Sequence, residues 1–444
     1  MLDINIIRKN PEAVRKNLAK RQDKEVLERF DSLLKIDKEW RFLKQQADDL
    51  RSRRNFVSKE IEMLVKQGKD VKQKIVEAKE IPEQIKQVEA RMNALDEERL
   101  SLLMRVPNLL HESVPFGIGD SGNQVVRTFG KTPKPSFEIQ HHGQLAVKLG
   151  VADFERAVKI SGEGFYFLKG SLALLEQALN QYAIQFLSKK GFVFVKPPFM
   201  IRRKPLSGAL DLAEFESVIY KIENEDHYLI GTAEHAINAM HSEEILNAED
   251  LPLLYAGFST NFRREIGKHG LDERGLFRLH QFDKVEQFVF CKPEDSEKWH
   301  EVLLKNAETL VQGLEIPYRV VNICTGDIGI VAAKKYDIEC WSPREGKYFE
   351  THSLSNCTSY QAVRSSTKYR ISQEEKDYCH TLNATAIAAP RMLRAIIENC
   401  QNKQGSIKVP KVLQPFMMGL KEIAPLEKNP IVKSKSVKKK KAKK

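Results

Sequence analysis

Hydrophobic positions divide the chain into two unlike regions. After Asp31, Ile36, Trp40, Leu43, Ala47, Leu50, Arg54, Val57, Ile61 and Leu64 follow one another in steps of four and three, with Arg54 the one polar member. This spacing keeps one seam of a helix apolar and predicts a coiled coil. Gln67-Gly68-Lys69-Asp70 interrupts it, and the seam resumes at Val71, Ala78, Ile81, Ile85, Val88, Met92, Leu95, Arg99 and Leu102, ending before Pro107. Two helices of about 35 residues joined by so short a turn fold back antiparallel, into a rod on the order of 50 Å long. Pro82 lies inside the second helix and is expected to kink or unwind it. Upstream, Asn10-Pro11-Glu12 reads as a helix start, with Asn as cap, Pro at the first position and an acid in the first turn.

Pro107 to Gly117 carries Pro and Gly and reads as a linker. From Gly162 the pattern changes to strands alternating with helices. Phe165-Tyr166-Phe167 is a short aromatic strand, and Leu172 to Lys189 an amphipathic helix with Leu174, Leu175, Ala178, Leu179, Tyr182, Ala183, Phe186 and Leu187 on its apolar side. An extended run, Gly191 to Pro198, follows. Tyr255 to Phe290 reads as two strands around a loop broken by Gly267, Gly270 and Gly275. On the return strand Phe282, Lys284, Glu286 and Phe288 share one face, and Phe277, Val285, Gln287 and Val289 the other. Tyr336 to Glu339 alternates like a strand. Along Tyr348 to Ser353, Glu350 and His352 fall on one face and Thr351 and Ser353 on the other unless a bulge intervenes. The small residues of Leu382 to Ala389 lead through Pro390 into a helix.

Charge alters this picture in two places. The net charge is +12, but the last twelve residues hold eight lysines and no acid, and without them it is +4. The body is therefore only mildly basic, and the tail reads as a solvated segment, a nucleic-acid contact or a targeting signal. Towards the turn of the rod, Arg51, Arg53, Arg54, Lys59, Lys66, Lys69, Lys72 and Lys74 make a basic tip suited to a phosphate backbone. The same heptads would also suit a dimerising coiled coil. None of the six cysteines forms a C-x-x-C pair, which points away from zinc and from a disulfide framework and towards reduced thiols in the cytoplasm. No apolar run is long enough to span a membrane, and the N-terminus lacks a signal-peptide core.

Arg263, Glu265 and Phe282 on neighbouring antiparallel strands would make a floor of fixed cations, a carboxylate and a ring, fit for a nucleotide. An amphipathic hairpin with an ion-paired outer face fits the spacing equally well. Thr232-Ala233-Glu234 places a hydroxyl and a carboxylate at the end of an apolar run, to hold an ammonium or a hydroxyl, or simply to cap the next helix. Here the resemblance becomes specific. FRRE at 262–265, a polar loop and GLFRLHQFDKVEQ resemble motif 2 of the class II aminoacyl-tRNA synthetases in the form used by seryl-tRNA synthetases. Pro198 resembles the marker of motif 1, Thr232-Ala233-Glu234 the serine-pocket motif, and Pro390-Arg391 motif 3. Ser355-Asn356 and Gln361-Ala362-Val363-Arg364 match further family segments. His352 departs from the small residue common there, and Pro390 from the more frequent glycine.

The resemblance covers roughly Met1 to Met418 and implies an α+β fold, an antiparallel sheet flanked by helices after a two-helix arm. It divides the chain into an arm at 1–107 (coiled coil about 31–104), a linker at 108–120, a catalytic domain at 121–430 and a lysine-rich tail at 431–444. The implied activity joins serine to the 3′ end of serine tRNA, and of selenocysteine tRNA where the organism has one, at the expense of ATP. Arg263, Glu265 and Arg391 are the implied catalytic residues. Arg263, Arg264, Glu265, Arg278, Leu279 and Phe282, with Glu350, Thr351, His352, Ser353 and Arg391, would bind ATP, and Glu350 and Ser353 would order Mg²⁺. Thr232, Ala233, Glu234, Arg263, Glu286, Asn383 and Thr385 would hold serine. A homodimer and tRNA binding by the arm are implied too. A paralogue that no longer charges tRNA and a non-catalytic coiled-coil nucleic-acid binder remain as alternatives.

Overall fold

The structure, a computed structural model, describes residues 1–132, 134–210, 215–264 and 275–425. It divides into two compact units, Met1–Leu110 and His111–Lys444. The first is helical: α1 Ile4–Lys9, α2 Pro11–Ala19, α3 Lys24–Lys66 and α4 Lys72–Arg105. Asp3, Asn10 and Asp23 cap the first three with side-chain oxygens. The Asp23 cap starts α3 well before the heptads become regular. The seam is the interface between α3 and α4, where Val57, Ile81 and Ile85 are buried and Leu50, Ile61 and Ala78 pack against them.

Pro82 does not break α4, which is helical from Lys72 to Arg105. Ile81 and Ile85, on either side of the missing donor, are buried against α3, and that packing outweighs one lost hydrogen bond. The polar seam residue Arg99 has a partner as well. Asp37 is buried and meets Arg8 at 2.6 Å, Arg41 at 3.0 Å and Arg99 at 3.2 Å. Burial works to raise its carboxyl, but the arginines outweigh that and hold it below the usual range.

The second unit is built on an eight-stranded sheet. Its strands are β1 Gln124–Phe129, β2 Val193–Val195, β3 Leu253–Phe262, β4 Gln281–Cys291, β5 Tyr318–Asn322, β6 Lys334–Ser342, β7 Lys347–Thr358 and β8 His380–Ala388. Their order across the sheet is β1-β5-β6-β7-β8-β4-β3-β2. All neighbours are antiparallel except β2 and β3. Helices α5 Gly170–Lys189, α7 Ser296–Gly313 and α8 Ala389–Cys400 contribute to the core beside one face, while α6 Ala233–Met240 packs near β3 on the other.

Alternation on β4 explains why one face is core and the other a site. Val285, Val289 and Cys291 join the main core, and Gln287 is satisfied there by Asn306 and the Leu303 carbonyl. Lys284 and Glu286 point the other way. Gly257 is required on β3 because a Cβ would meet Ile237 at 2.5 Å and Ala233 at 2.8 Å. The aromatic strand near 165 is shorter than expected and shifted, Phe167–Leu168. All six cysteines are free. Among the described residues no helix is long and apolar enough to cross a membrane.

Candidate active site

On the sheet face away from the main core lies a cavity of about 440 Å³. Strand β4 supplies Phe282, Lys284 and Glu286, Arg263 follows directly on β3, and the segment before β4 supplies Phe277, Arg278 and Leu279. Strands β6, β7 and β8 add Lys335, Glu350, Thr351, Ser353, Asn383, Thr385 and Ala388, and helices α6 and α8 add Glu234, Pro390 and Arg391. Segments far apart in sequence thus converge on one space, as strands β4, β6, β7 and β8, the end of β3 and two helix starts meet there.

One end is acidic and buried. Glu234 accepts from Gln361 Nε2 at 2.7 Å and Asn383 Nδ2 at 3.0 Å. Burial and the neighbouring Glu286 push its carboxyl up to about 7. Glu286 pairs with Lys284 and takes a hydrogen bond from Thr385. Burial raises the Glu286 carboxyl against the pull of Lys284, and lowers the Lys284 ammonium against the pull of Glu286. An ammonium or hydroxyl entering here meets two carboxylates and two side-chain amides already held in place.

The other end is cationic. Arg263 donates from Nε to the Gly231 carbonyl at 2.9 Å, and its guanidinium lies 5.8 Å from the Phe282 ring centroid. A Cβ at Gly231 would meet Arg263 at 3.3 Å, so this close approach favours glycine. Arg391 Nη1 donates to the Glu350 carboxylate at 2.8 Å. Burial works to raise Glu350, but Arg391 and Lys335 hold its carboxyl below the usual range.

A bulge decides which residues of β7 face this cavity. Ile338 pairs with His352 but Glu339 with Glu350, so Thr351 is extra. Glu350 and Ser353 therefore share the cavity side, while His352 turns into the sheet. There its Nε2 donates to the Ala386 carbonyl at 3.1 Å, and burial lowers its imidazole to about 4, leaving it neutral. Glu350 and Ser353 offer hard oxygen donors. No cluster of three or more His, Cys, Asp or Glu suited to a metal occurs among the described residues. The pair fits a cation such as Mg²⁺, which takes few protein ligands and completes its shell with phosphate oxygens and water.

Of the residues expected to act together, Arg263, Arg278, Leu279, Phe282, Glu286, Glu234, Glu350, Thr351, Ser353, Asn383, Thr385 and Arg391 line this space. Thr232 and Ala233 stand beside it: Thr232 caps α6, accepting from the Glu234 N–H, and Ala233 is buried among apolar groups. Arg264 turns to the Tyr220 ring, 5.0 Å from its centroid. Glu265 and the loop glycines Gly267 and Gly270 lie outside the described residues, as does the lysine-rich tail. Phe277 does not share the back face of β4. It precedes that strand and lines the cavity, and Lys284 of β4 and Lys335 of β6 line it too.

The tip of the first unit is less cationic than its composition. Arg51 pairs with Asp48 and Glu89, Arg53 with Glu77, Lys66 with Glu62, and Lys74 with Glu60 and Glu77. Arg54, Lys59, Lys69 and Lys72 have no ion pair among the described residues.

Comparison with known proteins places this architecture. A family model of the seryl-tRNA synthetase N-terminal domain matches residues 1–110, and one of the tRNA synthetase class II core domain (G, H, P, S and T) matches 217–400. A serine–tRNA ligase of Methanocella arvoryzae is 54% identical over 422 residues, covering 95% of this chain and 99% of its own. The chain belongs to the seryl-tRNA synthetase family. Its fold is that of the class II synthetases, an antiparallel sheet flanked by helices, and the N-terminal unit is a long helical arm. The crystal structure of Pyrococcus horikoshii seryl-tRNA synthetase complexed with ATP superposes with a TM-score of 0.92 at 45% identity, covering 96% of this chain and 100% of that one. The cytoplasmic serine–tRNA ligase of Naegleria fowleri in complex with AMP gives 0.85 at 36% identity, covering 97% and 99%.

Proposed function

We propose that this member of the seryl-tRNA synthetase family is an ATP-dependent, AMP-forming serine–tRNA ligase acting in the cytoplasm on serine tRNA. The observation that carries the reading is the cavity itself. A buried acidic end at Glu234 and Glu286, suited to an amino acid, adjoins a cationic end at Arg263, Arg278 and Arg391, suited to a triphosphate. The complexes of two homologues with ATP and AMP support it.

In the first step a serine carboxylate oxygen attacks the α-phosphorus of ATP, a new P–O bond forms, and the bond to pyrophosphate breaks. Positioning and charge neutralisation carry such a displacement. Arg263 bridges the attacking carboxylate and the α-phosphate, Phe282 stacks on the adenine, and Glu265 faces its edge. Arg278 and Arg391 hold the β- and γ-phosphates. Mg²⁺, held by Glu350 and Ser353, would neutralise phosphate charge when bound. Glu286, Glu234, Asn383 and Thr385 receive the serine ammonium and hydroxyl. The hydroxyl of the terminal tRNA adenosine then attacks the acyl carbon, and AMP leaves.

The helical arm supplies tRNA binding through its tip. Selenocysteine tRNA is a second substrate where the organism has one. A homodimer forms through α5 and β2.

ATP–pyrophosphate exchange with each of the twenty amino acids, followed by charging of total tRNA, tests the reading. Exchange with serine alone and charging of serine tRNA are expected. Exchange without charging would remove the arm's role, and no exchange at all would leave a binding paralogue. Glu286→Ala is expected to abolish serine-dependent exchange while ATP still binds. A pocket built to hydrogen-bond a hydroxyl should reject alanine by about 10⁴-fold.

A further inference from the structure

The face of α8 that presents Arg391 continues inward. Arg394 and Glu398 follow it by three and seven residues, one and two turns deeper on the same side. Both are buried, at 2% and 1% exposed. Glu398 accepts from Arg394 Nε at 3.0 Å and from the Ser342 hydroxyl at 2.5 Å, and meets His142 Nδ1 at 3.1 Å. Arg394 also pairs with Glu345. Two carboxylates therefore fix its guanidinium, which packs against Phe277 at 4.6 Å and Phe349 at 4.2 Å from the ring centroids. Phe277 meets Phe349 edge to face at 5.6 Å, and Arg391 lies 5.6 Å from the same Phe277 ring. One ring thus serves two guanidiniums, one anchored in the interior and one in the cavity.

This arrangement has a use during turnover. With Arg391 as a phosphate contact and Glu350 as a cation ligand, their 2.8 Å ion pair must open when ATP and its cation enter. An arginine losing its carboxylate would otherwise gain rotamer freedom just as it is needed. The contact with Phe277 need not break in that exchange.

We propose that Phe277, fixed by the buried Arg394–Glu398 pair, positions Arg391 while Arg391 trades Glu350 for the terminal phosphates of ATP. Phe277 and Arg394 are positioning residues acting through Arg391. The inference rests on the reading of Arg391 as a phosphate contact, so that reading is tested first.

In serine-dependent pyrophosphate exchange, Arg391→Ala should raise the KM for ATP at least about tenfold, the loss of a charge-assisted contact. An unchanged value would sink the phosphate reading and this inference with it. Given that effect, Phe277→Leu should raise the ATP KM about five- to tenfold, the scale of a partly desolvated cation–π contact. The serine KM should stay within about twofold, and Phe277→Tyr should recover most of the loss. Phe277→Leu combined with Arg391→Ala should cost no more than Arg391→Ala alone, because the two act as one unit. Thermal melting checks that each variant is folded. Should Phe277→Leu not fold, Arg394→Lys, which keeps the charge but loses the planar contact, carries the same test. A wild-type ATP KM in the folded variant, a loss shared equally by serine and ATP, or full additivity with Arg391→Ala would overturn the proposal.

Discussion

Glu234 shows how one residue couples stability to recognition. Its carboxyl is pushed up to about 7 by burial and by Glu286, from an ordinary value of 4.5. The folded state therefore binds this proton more tightly than the unfolded state. The stability it contributes is fully present below about 4.5 and is lost as pH rises through about 7. Recognition runs the opposite way, since the ionised carboxylate is the better acceptor for the serine ammonium or hydroxyl. The KM for serine should fall as pH rises through about 7 while the ATP KM moves less. Glu234→Gln should remove that pH dependence, raise the serine KM at least about tenfold, and melt higher than wild type at pH 8 but not at pH 4. Exchange kinetics and melting curves across pH 4 to 8 check this, and a pH-independent serine KM in the wild type would count against it. Single positions also mark the limit of sequence reading. Glu286 was legible from strand alternation beside the motif. Thr232 was not resolved, because a cap and a ligand look alike in one dimension. Lys284 shared that alternation with Glu286, but Lys335 carried no local signal of a cavity, which is made by strands 50 residues apart.

At the scale of elements, the heptad seam was the most legible feature, since a period sustained over many turns has few alternatives. Its two exceptions needed three dimensions. Arg99 sits in the seam because Asp37 and Trp40 wait opposite it, with the guanidinium 4.2 Å from the indole. Pro82 is tolerated because its neighbours are buried. The faces of β7 were legible only up to the bulge at Thr351, which moves Ser353 to the side of Glu350 and buries His352. Pairing register across strands decides such a shift, and one strand's sequence does not contain it. The arm tip teaches the same lesson in charge. Arg51, Arg53, Lys66 and Lys74 are neutralised by carboxylates, so their charges release fewer counterions on a phosphate backbone. Replacing Lys59, Lys69 and Lys72 together by Ala should lower the slope of log K for tRNA against log salt by up to about 2 to 3. Replacing Arg53 and Lys74 should change it by about 1 or less. Filter or fluorescence titrations between 50 and 200 mM salt, a window in which such slopes show, measure both. Equal slopes for the two sets would show that ion pairing does not select the contacts.

For the whole molecule, the edges of the sheet pose a problem that the proposed dimer would address. A sheet of eight strands has two edges, and an uncovered edge with apolar side chains invites pairing with another copy. At β2 the problem is acute. This strand is three residues long, Val193 is 59% exposed and Phe194 46%, and Met200 nearby is 56% exposed. Three large apolar groups at one edge, beside α5, are more than a monomer's surface needs to carry. The other edge, β1, also exposes Val125, Val126 and Phe129; the two-fold interface proposed at β2 is self-complementary, so one patch there suffices to close a dimer. The proposed dimer therefore predicts a concentration-dependent mass. The wild type should sediment as a dimer at micromolar concentration, and Phe194→Glu, which places a charge in the contact, should sediment as a monomer while keeping its far-ultraviolet spectrum. Exchange activity of that variant should fall at low protein concentration and recover as concentration rises, because β2 pairs with β3, whose far end carries Arg263. A wild type that is monomeric throughout would remove the proposal, and a Phe194→Glu dimer would move the interface elsewhere on the molecule.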